Sequence, residues 1–161
     1  MPDDSKKLNA YDEYWLRWDM QNMGCLFEFS TQYCLAKYKY ANFDVLKFMN
    51  MFMRSRFRRE METGHPKLLS QAAFDSFVDF IEVDMNGNIG EFISKHPLKY
   101  NFADRQLYWV GWTYAYIHYT ADIYSSELVE KLPIDFMLEQ YHLGHEMDIA
   151  VFYDKVKEAL V

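Results

Sequence analysis

With 161 residues, half of them hydrophobic and 19% aromatic, the chain suits one domain with one sizeable core and is too apolar for disorder. Its 24 acidic and 17 basic residues leave a formal charge of −7, which argues against a general nucleic-acid binder, because counterion release needs clustered Lys and Arg. Six Gly and four Pro are too few for an all-β fold of many tight turns.

Apolar residues recur near every 3.6 positions in most segments, so the chain reads as helices from end to end. Met1 to Lys7 lacks an apolar h-region, and no apolar run approaches the roughly 18 residues of a membrane span; a cytoplasmic location without membrane contact is the expectation. The first helix is predicted over 10–23, with Tyr11, Tyr14, Trp15 and Trp18 along one stripe, and Gly24 allows a break before a second over 26–39. Asn42 is a plausible N-cap for a third helix that runs through Glu62, with Asp44 near its positive end and Gly64 and Pro66 closing it.

Ser70 is placed as the cap of a fourth helix over 71–83. Asn86-Gly87-Asn88 marks a turn whose flanks lack the alternation of strands, and a short fifth helix over 89–95 stops before Pro97. The sixth, over 103–121, is apolar on most sides and is therefore expected at the centre. Helices from Ser125 to Pro133, over 134–142, and from a cap at Asp148 to about Leu160 complete the chain. The fold class is all-α: one domain over 1–161, a bundle of seven to nine helices around a buried aromatic helix, with residues 1–9 flexible.

Charge is uneven along the chain. Residues 37–67 hold eight bases against Asp44, Glu60 and Glu62, a net of +5, while the tail from Ser126 is net −5. On one long helix Lys47, Arg54 and Arg58 would share a face, widened by Arg56 and Arg59. Three readings fit it: a solvated face whose arginines pair with the protein's own acids such as the acidic tail, a docking face for a protein partner with acidic or phosphate-bearing groups, or a nucleic-acid surface. The aromatic surplus has two readings as well, plain core packing or interface; Tyr11, Tyr14, Trp15, Trp18, Tyr38 and Tyr40 are the ones expected to stay partly exposed.

Chemistry-bearing residues are sparse. His118 precedes Asp122 by four residues, a spacing that could orient an imidazole on one helix face. His142 and His145 flank Gly144 within YHLGHEMD, where Glu139, Glu146 and Asp148 could add oxygen ligands, but the HExxH pattern is absent and a third ligand is missing. These four residues, His118, Asp122, His142 and His145, form the alternative site, a His-lined pocket of a small enzyme or ligand-binding domain. Cys25 and Cys34 read as buried small hydrophobes, with no base to activate them. No Walker A loop, GxGxxG turn or CxxC pair calls for a cofactor, and no metal is expected.

The C-terminal third, from about Asp104 to Leu160, carries RQLYWVGWTYAYIHY, the Ser125-Ser126-Glu127-Leu128 start, Pro133, YHLGHEMD and a closing helix. Over roughly 55 residues this order resembles small helical antitoxin-like proteins of unassigned function in gut and Gram-positive bacteria, often encoded beside putative toxin genes. The resemblance implies a non-enzymatic protein whose task is binding another protein, with a toxin as the partner. In that reading Arg54, Arg56, Arg58, Arg59 and Lys47 steer the encounter while Tyr11 and Trp15 supply contact area. A metal- or ligand-binding enzyme is the alternative, and a nucleic-acid-binding regulator the third.

Overall fold

The computed structural model of the protein describes residues 11–98 and 100–161; the expected flexibility of residues 1–9 and the helix start at Ala10 lie outside them. Among the described residues there are nine α-helices and no strand, apart from one isolated bridge between Phe43 and Ile93. The helices are α1 (Glu13–Tyr38), α2 (Val45–Met53), α3 (Arg56–Glu62), α4 (Pro66–Ser70), α5 (Ala73–Asp79), α6 (Gln106–Ala121), α7 (Ser125–Lys131), α8 (Ile134–Gly144) and α9 (Ile149–Val156). A π-helical turn (Phe80–Asp84) prolongs α5, and 3₁₀ turns occupy Ile89–Phe92 and Lys157–Leu160.

The all-α, single-bundle architecture stands as expected, but its first half is divided differently. The two helices predicted before residue 40 are one, α1, because Gly24 lies inside it and serves a close approach rather than a break. A Cβ at Gly24 would sit 2.6 Å from the Tyr108 ring, and one at Gly111 would sit 2.2 Å from the Met23 carbonyl oxygen. Glycine in a helix interior costs about 1 kcal/mol relative to alanine. Here it lets α1 and α6 meet backbone to backbone. They run antiparallel: Tyr11 stacks on Tyr119 at one end, and Glu28 takes Arg105 at the other.

The helix predicted from Asn42 to Glu62 is two. Asp44, not Asn42, caps α2, its carboxylate accepting from the Lys47 amide. Ser55 then turns extended and caps α3, its hydroxyl accepting from the Arg58 amide at 3.0 Å. Serine competes for backbone donors in a helix interior and favours this N-cap position, so the chain breaks at Arg54-Ser55. Pro66 opens α4 at its first turn instead of only ending the helix before it. Ser70 closes α4, its hydroxyl donating to the Pro66 carbonyl, and α5 starts beyond it at Ala73.

The core has two parts on either side of α1. One is a nest of phenylalanine rings centred on Phe48, which lies 5.3–6.4 Å, centroid to centroid, from Phe27, Phe43, Phe52, Phe77, Phe80 and Phe92. The other surrounds α6, whose Trp109, Val110, Tyr114 and Ile117 are buried against α1, α7, α8 and α9. Helix α6 is thus the buried aromatic helix, although Tyr108, Trp112, Tyr116 and Tyr119 are only half covered. Replacing Gly111 with Ala forces the Met23 backbone away and is expected to cost about 3 kcal/mol in urea unfolding; a loss below about 1 kcal/mol would show that the α1–α6 crossing is not tight.

Candidate functional site

The polar residues that could do chemistry converge where the bundle is driest. Asp19 faces inward from α1, at helical spacing with Met23, Leu26 and Ser30 on the buried stripe. Arg58 and Glu62 come one turn apart from α3, His118 from the last turn of α6, and Ser125 from the first residue of α7. All five are at most 2% exposed. Tyr11, just before α1, closes the cluster by donating its hydroxyl to Asp19 Oδ2 at 2.9 Å.

Arg58 forms a two-pronged pair with Asp19, from its two terminal nitrogens at 2.6 and 2.9 Å, and its Nε donates to Ser125 Oγ at 3.1 Å. Glu62 receives both the amide and the hydroxyl of Ser125, the latter at 2.5 Å, and so caps the N-terminus of α7. His118 Nδ1 lies 2.9 Å from Glu62 Oε2 and 2.5 Å from the Ile123 carbonyl oxygen. Both neighbours are acceptors, so Nδ1 carries a hydrogen. Burial alone would push both carboxyls up. For Asp19 the Arg58 charge and its hydrogen bonds, followed by His118 and Tyr11, outweigh burial and hold the group below the usual range; for Glu62 the Arg58 and His118 charges lead, with hydrogen bonds from His118 and Ser125. Burial, then the Asp19 charge, raises the Tyr11 phenol far above its ordinary value.

Several expectations are corrected here. Arg58 is not an outward docking residue but the central cation of the interior, because the break at Ser55 rotates α3 away from the face that Lys47 and Arg54 share on α2. Tyr11 is buried, since the closure of the cluster and its stacking on Tyr119 draw it in; Trp15 is half-buried, while Tyr14 and Trp18 remain exposed. His118 faces Glu62 rather than Asp122, because α6 ends at Ala121 and Asp122 takes a left-handed conformation with φ of 56°. His145 stacks on the Tyr141 ring, with its Nδ1 at 2.6 Å from the Tyr141 carbonyl, and exposed His142 sits beside the same ring. Neither His142 nor His145 contacts the His118 cluster, and the described residues hold no group of three or more His, Cys, Asp or Glu arranged for a metal.

The other cations of the expected docking face find acids and rings of the same chain. Arg54 pairs with Glu130 of the acidic tail, Lys47 with Glu91 at 3.0 Å, and Arg56 loosely with Glu60 at 3.7 Å. The Arg59 guanidinium lies over the Tyr124 ring at 3.7 Å. Cys34 is buried on α1, which pushes its thiol up to about 11, and half-buried Cys25 is likewise raised by burial. Sequence reasoning singled out His118 and Arg58 but missed Asp19, Glu62 and Ser125. The usable signal was Asp19 itself, a charge one helical turn from Trp15, Leu16 and Met23.

As chemistry, the cluster is self-satisfied. Ser125 Oγ donates to Glu62 and accepts from Arg58, and no solvent-facing surface admits a substrate atom. Its role is to tie α1, α3, α6 and α7 together. Arg58→Met leaves the buried Asp19 carboxylate without its cation and takes a second charge from beside Glu62, and is expected to cost about 3–5 kcal/mol in urea unfolding; a change under about 1 kcal/mol would deny the cluster that role. The depressed carboxyls of Asp19 and Glu62 stabilise the fold at neutral pH, and this contribution drains away as pH falls below the unfolded carboxylate range near 4. Between about pH 5 and about pH 2 the wild type is therefore expected to lose more stability than the Asp19→Asn, Glu62→Gln double variant, and parallel curves over that range would refute the assignment. No family model, curated protein or solved structure matches this chain.

Proposed function

We propose that this protein is a non-enzymatic protein–protein interaction module that docks its partner on the outer face of the first turns of α1. One observation carries this reading: Tyr14 is 69% exposed and Trp18 42% exposed, one turn apart on the same helix face. Large aromatic side chains left in water at helical spacing offer contact area at little entropic cost, and Tyr and Trp dominate binding energy where interfaces have been dissected. Trp15 packs edge-on against Tyr14 at 5.1 Å, which holds the ring in place before any partner arrives.

The charge beside this patch selects the partner's chemistry. Exposed Asp12 and Glu13 stand at the start of the patch and exposed Arg17 within it, and the whole chain carries −7, so the complementary surface is apolar with Lys or Arg opposite the two acids. In its finer form, which rests on the resemblance of the C-terminal third, the partner is a toxin whose active site this protein covers. The closed polar cluster is compatible with that task because it requires no substrate access.

The test compares affinity capture from the native host with wild-type protein and with a Tyr14→Ser, Trp18→Ser double variant whose circular dichroism matches the wild type. A stoichiometric partner held by the wild type and retained at least about tenfold less by the variant is the expected result. Equal capture by both, or no stoichiometric partner for either, would overturn the reading. The toxin form further expects the neighbouring gene to be harmful alone and harmless when co-expressed with this one.

A further inference from the structure

A second surface, on the other side of the molecule's charge map, has no part in that reading. The end of α2, the Arg54-Ser55 break and the start of α3 face the π-helical turn across an open cleft of about 630 Å³. Its floor is apolar: Met51, Phe80, Val83 and Met85. Val83 is 59% exposed, a β-branched side chain held toward water by a turn that is itself unusual. π-helical turns are rare and concentrate at functional sites, and this one has a local cause. Widening the helix carries Asp84 to the N-terminus of α3, where its carboxylate accepts from the Phe57 amide at 2.7 Å, and leaves Val83 and Met85 lining the cleft.

The polar side of the cleft is cationic. Arg54 is anchored, its Nε donating to Asn50 Oδ1 and its terminal nitrogen to the Glu130 carboxylate. Arg56 is 76% exposed, and Glu60, its ion-pair partner among the described residues, stands at 3.7 Å from Nε, so most of its donors are turned to water. Asp84 is the acid within the lining, and its bond to the Phe57 amide commits it to the α3 cap. The chain's own Glu130, seated on Arg54, shows the kind of group this rim accepts. The two methionines give a floor that adapts to different apolar shapes.

We propose that this cleft binds an acidic, amphipathic peptide segment of a partner protein, placing a Leu- or Phe-type side chain on the Met51–Val83–Met85 floor and its flanking carboxylates on Arg56 and Arg54. A peptide fits better than an enclosed small ligand because the cleft is open along its length, whereas small-molecule sites bury most of their ligand. Guanidinium forks match carboxylates two bonds at a time, which gives the acidic flanks their register. The site uses Arg54 and Arg56 of the basic stretch, while Arg58 is withdrawn into the interior and Arg59 lies over Tyr124.

Fluorescence anisotropy with a labelled twelve-residue peptide of alternating glutamate and leucine tests the proposal on the full chain. Saturable binding is expected, lowered at least about tenfold by Arg56→Glu and by Val83→Asp, and unaffected by the Tyr14→Ser, Trp18→Ser double variant that tests the α1 face. The same peptide with lysine for glutamate, or alanine for leucine, is expected to bind at least about tenfold more weakly. Arg56→Glu alters an exposed side chain and keeps the test valid if Val83→Asp fails to fold. Absence of saturable binding, binding indifferent to Arg56→Glu, or preference for a single-stranded oligonucleotide over the peptide would each overturn it.

Discussion

Arg58 is a full positive charge with no contact with water, and the bundle is arranged around keeping it paired. Its guanidinium spans Asp19 on α1 and Ser125 on α7, while Glu62, one turn away on its own helix, fixes the start of α7 and reaches His118 on α6. A buried charge that loses its partner costs several kcal/mol, whereas the intact cluster adds little net stability over an apolar core. The value of such a cluster lies in specificity. Each of four helices must stand at one rotation and one height, or a charge is left bare.

Two consequences follow for the rest of the structure. The antiparallel α1–α6 pair must approach closely enough for Asp19 and His118 to reach the same site, and Gly24 and Gly111 provide that approach. The interior beyond the cluster is filled chiefly by phenylalanine rings in tilted and edge-on contacts around Phe48.

The surface shows the complementary division. Most cations that the sequence gathers between residues 37 and 67 are tied to acids or rings of the same chain, so no broad basic face remains. Among the features that stay open are the Tyr14–Trp18 pair on α1 and the cleft where Arg56 overlooks Met51, Val83 and Met85. Neither borrows a residue from the buried cluster.

Periodicity and capping signals determined that the chain is helical, that the segment around Trp109 to Ile117 is buried, and that Asp148 caps the last helix, because these are local properties of spacing and capping. It could not decide whether Gly24 breaks a helix or admits a neighbour, since that depends on Tyr108 and α6 lying across from it. The same limit applies to Arg58. A one-residue choice at Ser55, cap or helix interior, rotates everything after it, and only the packing of α1, α6 and α7 against α3 turned an arginine from the solvent side to the centre. Local sequence fixes what each segment can form, while the pairing of charges distant in the chain selects among those forms, because burial makes every alternative pairing costly.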